Sequence, residues 1–374
     1  MIIGILKEPA FENRVSLIPE AAKNLIKLKA HILVETNAGA KAMADDAEYV
    51  EAGAKIASRE ELMKQADILL SIQAPEKDFL SKLGKGKIVV SVFNPLADKN
   101  LVQFLKETEL TVFSMDMIPR TTRGQAMDIL SSMATVAGYK AVLDAANRLP
   151  NFFPMFMTAA GTIRPAKLLI LGAGVAGLQA LAIARKLGAV VEVFDVRSAV
   201  KEQVESLGGK FVEVEGAKED AAAGGYAVEQ DAEFLIKQKQ LIHDHASKSN
   251  VIICTAQIPG KQAPLLITNK TVKAKRKGSV IIDLAASTGG NCELTEDGLV
   301  VVKEGVTIVG NSSYPSEMPN DASRLYGNNL VNFLKLIIDD SGDLKLDFED
   351  DIVKNTCVVH EKQIMGDRLK QIYQ

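Results

Sequence analysis

Cysteine, histidine, charge of one sign and long apolar runs are all scarce in this chain, and each scarcity closes off a class of function. The 374 residues hold three cysteines, Cys254, Cys292 and Cys357. They lie far apart and outside any C-x-x-C spacing, which reads as free thiols in a reduced, cytoplasmic protein. Of the four histidines, His243 and His245 are two apart and point to different faces of a helix, so they cannot form an i,i+4 metal pair, while His31 and His360 are isolated. No metal is expected. Lys+Arg 44 against Asp+Glu 47 leaves a net charge of -3, without the basic field that would hold a nucleic-acid backbone, so no nucleic-acid partner is expected. The longest uncharged stretch, Leu168 to Ala184, has 17 residues with Gly172, Gly174, Gly177 and Gln179 inside it. That falls short of the roughly 20 apolar residues a membrane helix needs. The opening residues reach Lys7 and Glu8 too soon for a signal-peptide core.

What remains is ordinary globular composition, 47% hydrophobic and 24% charged, enough for about two domains of about 150 residues. Short Ile- and Val-rich runs alternate with helical patterns: Ile2 to Leu6, a helix Pro19 to Ala30, Ile32 to Glu35, a helix ending near Gln65, then Ile68 to Ile72 and Ile88 to Val92. A second series begins at Lys167 and continues with strands from Val190, Val251, Ser279 and Val306. Such alternation predicts an α/β chain with two Rossmann-like, doubly wound parallel sheets. A long helix over Ala126 to Leu149 joins them, and Leu325 to Ile338 returns the chain to the first domain. The expected division is 1–136 plus 321–374 against 137–320, with a cleft between two lobes.

The chemistry-bearing motif is Gly172-Ala173-Gly174-Val175-Ala176-Gly177, placed directly between a strand and a helix. The first glycine allows a tight turn, the second lets backbone approach a pyrophosphate, and the third lets the helix pack on its strand. A plain strand-to-helix turn could use the same glycines, but an acid follows where a dinucleotide needs one. Asp195 ends the next strand, 23 residues after Gly172, where a carboxylate accepts the ribose hydroxyls and repels a 2'-phosphate. NAD(H) is favoured over NADP(H). Val196 and Arg197 continue this ribose end, and Arg197 has the charge to accept a phosphate.

With these residues in hand the chain resembles the alanine dehydrogenase and proton-pumping nicotinamide nucleotide transhydrogenase superfamily. The likeness runs from GILKEP and NRVSLIPE through ETNAGAKAMADDAEYVEAGAKI to DLAASTGGNC. Four strings bring it closest to the transhydrogenase branch and its NAD(H)-binding component: PRTTRGQAMDILSSMATVAGYKAV, MTAAGTIRPAKLLILGAGVAGLQA, DVRSAVKEQVESLGGKFV and CTAQIPGKQAP. Against alanine dehydrogenases, Gln73 stands where that family carries a catalytic Lys, and Val92 to Ala97 lacks its His. Ser287 replaces a pocket Asp, while Arg14 is retained as scaffold.

The resemblance implies that Arg120, Gln125, Asp128 and Ser131 face the nicotinamide, with Asp128 holding Arg120 or Gln125. Hydride transfer between two nicotinamide C4 atoms releases no proton, so positioning groups suffice. Small residues before an aromatic, Ala221 to Gly225 and Tyr226, suit a loop closing over cofactor, as in the family. Gln238 and Gln257 match positions near the nucleotide. The implied activity is hydride transfer from NADH to NADP+ held on a partner subunit, coupled to proton translocation by a multi-span membrane subunit. The implied assembly is a homodimer attached peripherally to the inner membrane. Two rivals stand beside it, an alanine dehydrogenase-like amino-acid dehydrogenase and a non-catalytic NAD-sensing module.

Overall fold

Runs of Ile, Leu and Val buried along most of their length build two sheets, one in each of two units. The computed structural model describes residues 1–214, 232–258 and 260–373. Gly225 and Tyr226, with the rest of the expected closing loop, lie outside the described residues. The first unit is Met1–Met133 with Pro315–Gln374, the second Ala134–Tyr314.

In the first unit six strands run parallel, in the spatial order Lys55–Ala57, His31–Glu35, Ile2–Ile5, Ile68–Gln73, Ile88–Val92, Thr111–Ser114. Cys357–His360 and Gln363–Ile364 extend the last edge through antiparallel pairings. Ile68 to Ile72 are all buried, the continuous pattern of a strand covered on both faces. The helix Pro19–Lys27 starts with proline in its first turn and buries Ala21, Ala22 and Leu25. It stops short of Ala30 because Lys29 adopts a left-handed φ of 64°, which a right-handed helix cannot include. The return helix, Pro319–Ile337, begins earlier than the apolar periodicity suggests. Proline at its first turn is pre-set for a helix start, and Ala322 and Ser323, too small to register as an apolar face, are fully buried.

In the second unit the parallel order is Lys210–Val212, Val190–Phe194, Lys167–Leu171, Val251–Cys254, Val280–Asp283, Val306–Gly310, with Val300–Lys303 antiparallel at the edge. Strand order therefore reverses between Lys167–Leu171 and Val251–Cys254, and ligands of such sheets bind outside the carboxyl ends at that point. A separate hairpin, Phe156–Thr158 with Gly161–Ile163, is exposed on every residue. The helix that carries the chain from the first unit to the second is Ile129–Arg148. It does not begin at Ala126, because Gly124–Met127 form a separate 3-10 turn and the Asp128 carboxylate accepts the Ser131 backbone N–H at 3.0 Å, which is an N-cap.

Candidate functional site: a glycine turn at the reversal of strand order

The turn after Lys167–Leu171 uses its three glycines in three different ways. Gly172 has φ +105°, and a Cβ there would lie 2.6 Å from the Thr255 hydroxyl oxygen and 3.2 Å from the Ala256 nitrogen. Only glycine takes this conformation cheaply in so close an approach. At Gly177 a Cβ would stand 1.9 Å from the Gly172 carbonyl oxygen, so its absence lets the helix seat on the turn. At Gly174 a Cβ would meet nothing within 4 Å. That side is open, and bare backbone faces it.

Gly174 is also the N-cap of the helix Val175–Lys186 and brings no side-chain acceptor to it. The N–H groups of a first helical turn lack intrahelical partners and, with the helix dipole, suit an anion. Ala173 is buried and donates its N–H to Asp195 Oδ2 at 2.7 Å. Val175 is partly exposed at the helix start. These features fit the pyrophosphate of a dinucleotide.

Asp195 sits at the end of the neighbouring strand, 8% exposed. Its Oδ1 accepts the Arg197 backbone N–H at 2.9 Å and Nε at 2.8 Å, and its Oδ2 accepts Nη2 at 2.6 Å. The guanidinium thus covers both oxygens that a ribose would use. Val196 is half-buried and packs against the core cluster that includes Phe194. Gln257, exposed, follows the Val251–Cys254 strand and donates to Thr288 Oγ1 at 3.2 Å. Gln238 is buried on the helix Ala232–Ala246.

Sequence reasoning missed Thr255 and Ala256. The Thr255 hydroxyl donates to the Leu171 and Gly172 carbonyls at 3.2 and 3.0 Å, tying the fourth strand's end to the turn. The available signal was a threonine ending a buried strand, where a hydroxyl needs a local acceptor.

In the first unit, Arg120 and Gln125 are exposed, and Gln125 lies in the Gly124–Met127 turn. The Asp128 carboxylate is engaged by the Ser131 N–H and, at 2.6 Å, by its hydroxyl, where the sequence suggests Arg120 or Gln125 as partner. The reason is local: a residue three positions into a helix presents its N–H to the N-cap. Asn329 and Asn332, one turn apart on the return helix, both donate to the Ala126 carbonyl, at 2.9 and 3.1 Å. They hold the turn in place, a role that sequence reasoning also missed.

A second polar cluster lies where this unit's strand order reverses. Glu12 accepts Arg14 Nε at 2.8 Å and Nη2 at 2.6 Å, and Gln73 Nε2 at 2.9 Å. Burial raises its carboxyl, but the Arg14 guanidinium and backbone N–H and the Gln73 amide together outweigh burial and hold it at about 2. Glu8, 8% exposed, accepts the backbone N–H groups of Ile72 and Gln73 at 2.6 and 3.0 Å. Burial pushes it up to about 7 despite those bonds. Arg14 is therefore already occupied by a carboxylate of its own chain.

All three cysteines are free and buried, and burial pushes the Cys292 thiol up to about 11, far from a reactive thiolate. Among the described residues no group of three His, Cys, Asp or Glu is placed to hold a metal, and no helix is long and apolar enough to cross a membrane.

Two family models cover nearly the whole chain: the alanine dehydrogenase/PNT N-terminal domain matches residues 4–137 and the C-terminal domain residues 141–367. The chain belongs to the alanine dehydrogenase/PNT family. Within it, the chain is 45% identical over 363 residues to the first segment of NAD(P) transhydrogenase subunit alpha of Rhodospirillum rubrum, covering 95% of this chain and 94% of that one. It is 27% identical over 334 residues to alanine dehydrogenase of Bacillus subtilis, covering 86% and 82%. The crystal structure of transhydrogenase from Sinorhizobium meliloti superimposes with a TM-score of 0.89 at 40% identity, covering 98% of this chain and 100% of that one. The family's transhydrogenase members are thus the nearer kin of these two kinds.

Proposed function

We propose that this chain is the NAD(H)-binding subunit of a proton-translocating NAD(P)+ transhydrogenase. The observation that carries the reading is the Gly172–Gly177 turn, with open space at Gly174 and Asp195 beside it, in a chain whose high-identity relative is named a transhydrogenase subunit. In this reading residues 137–320 form the NAD-binding domain, and residues 1–136 with 321–374 form the domain that carries Arg120, Gln125, Asp128 and Ser131.

NADH bound at the turn supplies a hydride from its nicotinamide C4 to that of NADP+ on a partner subunit, with no proton released. The first-turn N–H groups after Gly174 bind the pyrophosphate. Asp195 accepts the adenosine ribose hydroxyls once Arg197 yields them and disfavours a 2'-phosphate by charge. Gln125 and Arg120 orient the nicotinamide carboxamide, with Asp128 and Ser131 fixing the helix start behind them. A multi-span membrane subunit couples transfer to proton movement and holds this subunit at the inner membrane. The subunit acts as a homodimer, and the exposed Phe156, Met157 and Ile163 of the hairpin, with Met155 just before it, are the apolar surface that pairing would bury.

The dehydrogenase alternative is disfavoured by the same cluster that occupies Arg14: Glu12 sits on the guanidinium and Gln73 offers an amide where acid-base chemistry needs a titratable group. The test uses the purified chain mixed with an NADP(H)-binding partner and NADH carrying deuterium at C4. NADPH that keeps the deuterium supports direct transfer. Deuterium lost to water, or NADH formed from NAD+ and L-alanine by this chain alone, overturns the reading.

A further inference from the structure

The carboxyl end of the Val251–Cys254 strand meets the glycine turn at Ala256, and Ala256 is held by a side chain to which the sequence assigns no role. Asn291, fully buried, accepts the Ala256 N–H at 3.1 Å through Oδ1 and donates Nδ2 to the Ala256 carbonyl at 2.9 Å. Its second amide hydrogen goes to the Pro264 carbonyl at 2.8 Å. One primary amide thus matches both polar groups of a single residue, as a paired strand would.

Asn291 is itself seated on Asp283, the last residue of the next strand and 0% exposed. Asp283 Oδ2 accepts the Asn291 N–H at 2.8 Å, the Cys292 N–H at 3.0 Å and the Thr295 hydroxyl at 2.8 Å, while Oδ1 accepts the Ala285 N–H at 3.1 Å. Gly290 has φ +77°, and a Cβ there would lie 2.9 Å from Asp283 Oδ2, so a glycine is what allows the chain to fold over the carboxylate. The same segment supplies Thr288 to Gln257. Two side chains from one turn therefore fix two successive residues of the strand end.

The consequence reaches the cofactor because Ala256 is in close approach to Gly172, and Thr255 beside it bonds the Gly172 carbonyl. A shift of the strand end cannot be absorbed there without moving the turn. We propose that Asn291, seated on Asp283, is a positioning residue for dinucleotide binding, setting the Ala256–Gln257 strand end against the Gly172–Gly177 turn. This rests on the reading of that turn as the NAD(H) site.

The experiment is equilibrium titration of the full chain with NADH from pH 6 to pH 9, for wild type and Asn291→Asp. The Asp side chain keeps the shape and the acceptor for the Ala256 N–H but aims a carboxylate at the Ala256 and Pro264 carbonyls, with the Asp283 carboxyl bonded to the same residue's N–H. A buried polar group left without its partner is costly, and the expected weakening at pH 8 is about 10-fold or more. Protonation returns one O–H donor, so the variant regains affinity as pH falls, relative to wild type. A packing role alone would give a loss independent of pH. Should Asn291→Asp yield no folded protein, Thr288→Val decides. That variant removes the acceptor for Gln257 and the hydroxyl's own bond to the Ala285 carbonyl, and the expected weakening is about 3-fold. Wild-type affinity in Asn291→Asp, a loss without pH dependence, or, in the fallback, wild-type affinity in Thr288→Val overturns this inference alone. Wild type that fails to bind NADH overturns the proposed function and this inference with it.

Discussion

The six parallel strands of each sheet follow one spatial order, and the two sheets are furnished in opposite ways where that order reverses. In the second unit the reversal is lined by backbone: Gly172, Gly174 and Gly177, an uncapped helix start, and open space. In the first unit the corresponding strand ends carry side chains that satisfy one another. Glu12 is on Arg14 and Gln73, and Glu8 is on the Ile72 and Gln73 N–H groups. A bare backbone end leaves N–H groups that suit an anion, whereas a filled one is already satisfied from within. The topology gives both units a place for a ligand, and the residues at that place decide whether it is used.

The sharpest way to break this contrast is to put side chains into the bare end. Gly177→Ala places a methyl 1.9 Å from the Gly172 carbonyl oxygen, so the helix must move off the turn. NADH binding should fall by more than about 100-fold, with a melting temperature lowered by overpacking worth about 1–3 kcal/mol. Gly174→Ala meets nothing within 4 Å, so melting should be unchanged while binding weakens about 10-fold, because the methyl stands where backbone approaches pyrophosphate. Equal effects of the two substitutions on melting would show that the glycines do not divide the work as the geometry says.

The filled end is probed by pH. Glu8 titrates at about 7 in the fold against 4.5 for the free group. Because its folded value is raised, the native state binds more protons than the unfolded one between these values. Stability from this group therefore falls as pH rises through that window and is level above it. The difference amounts to roughly 3 kcal/mol. Glu12 acts in the opposite sense, its lowered value costing stability only as pH falls from 4.5 toward 2. Denaturant unfolding of wild type and Glu8→Gln at pH 5 and pH 8 isolates this contribution: the variant should lose that part of the slope. Identical slopes would mean that Glu8 is not carried as a buried, proton-holding group beside Glu12 and Arg14.

How much of this is legible in the sequence follows from how local each cause is. The parallel sheets can be read because each strand is a short apolar run followed by a helix, and the glycine turn because its three requirements fall within six consecutive residues. Cys357–His360 and Gln363–Ile364 do not read as strands, since their pairing is with the distant Thr111–Ser114 edge and with each other. Asn329, Asn332, Thr255 and Asn291 escape notice for the same reason. Each acts on a backbone group far along the chain, and nothing in its own neighbourhood announces the partner. The Asp128 to Ser131 cap is visible as a spacing, yet nicotinamide contact explains the same residue types and hides the simpler demand of a helix start. Arg197 shows as a charge near the ribose end, but its closure over Asp195 needs the turn geometry that follows the strand.

Between the two ends of the cofactor the comparison sharpens again. Gln125→Asn keeps the amide and shortens its reach by one methylene, and misplacement of that order costs about 100-fold in a step governed by orientation. NADH binding should change little, since the binding groups named above lie at the turn and at Asp195. The two quantities are measured separately, hydride transfer with an NADP(H)-binding partner and NADH affinity by titration. Losses in equal proportion would remove Gln125 from the positioning role and leave it a solvated residue of a 3-10 turn.

The smallest expected effect concerns a place where the bare end is partly filled. Arg197 lies on Asp195 with side-chain exposures of 25% and 6%, so its guanidinium competes for the oxygens that the ribose hydroxyls need. An ion pair with one partner this accessible contributes about 0.2–1 kcal/mol. Arg197→Ala removes the competitor, and NADH should bind about 2- to 5-fold more tightly, in line with that energy. NADPH should bind more weakly still, because a positive charge placed to meet a 2'-phosphate is gone and Asp195 remains. The ratio of the two dissociation constants is the quantity to follow, since it cancels general damage to the site. Weaker NADH binding in this variant would make Arg197 a direct contact to the adenosine end, and the second unit's crevice would then resemble the first in drawing on a side-chain ion pair of its own.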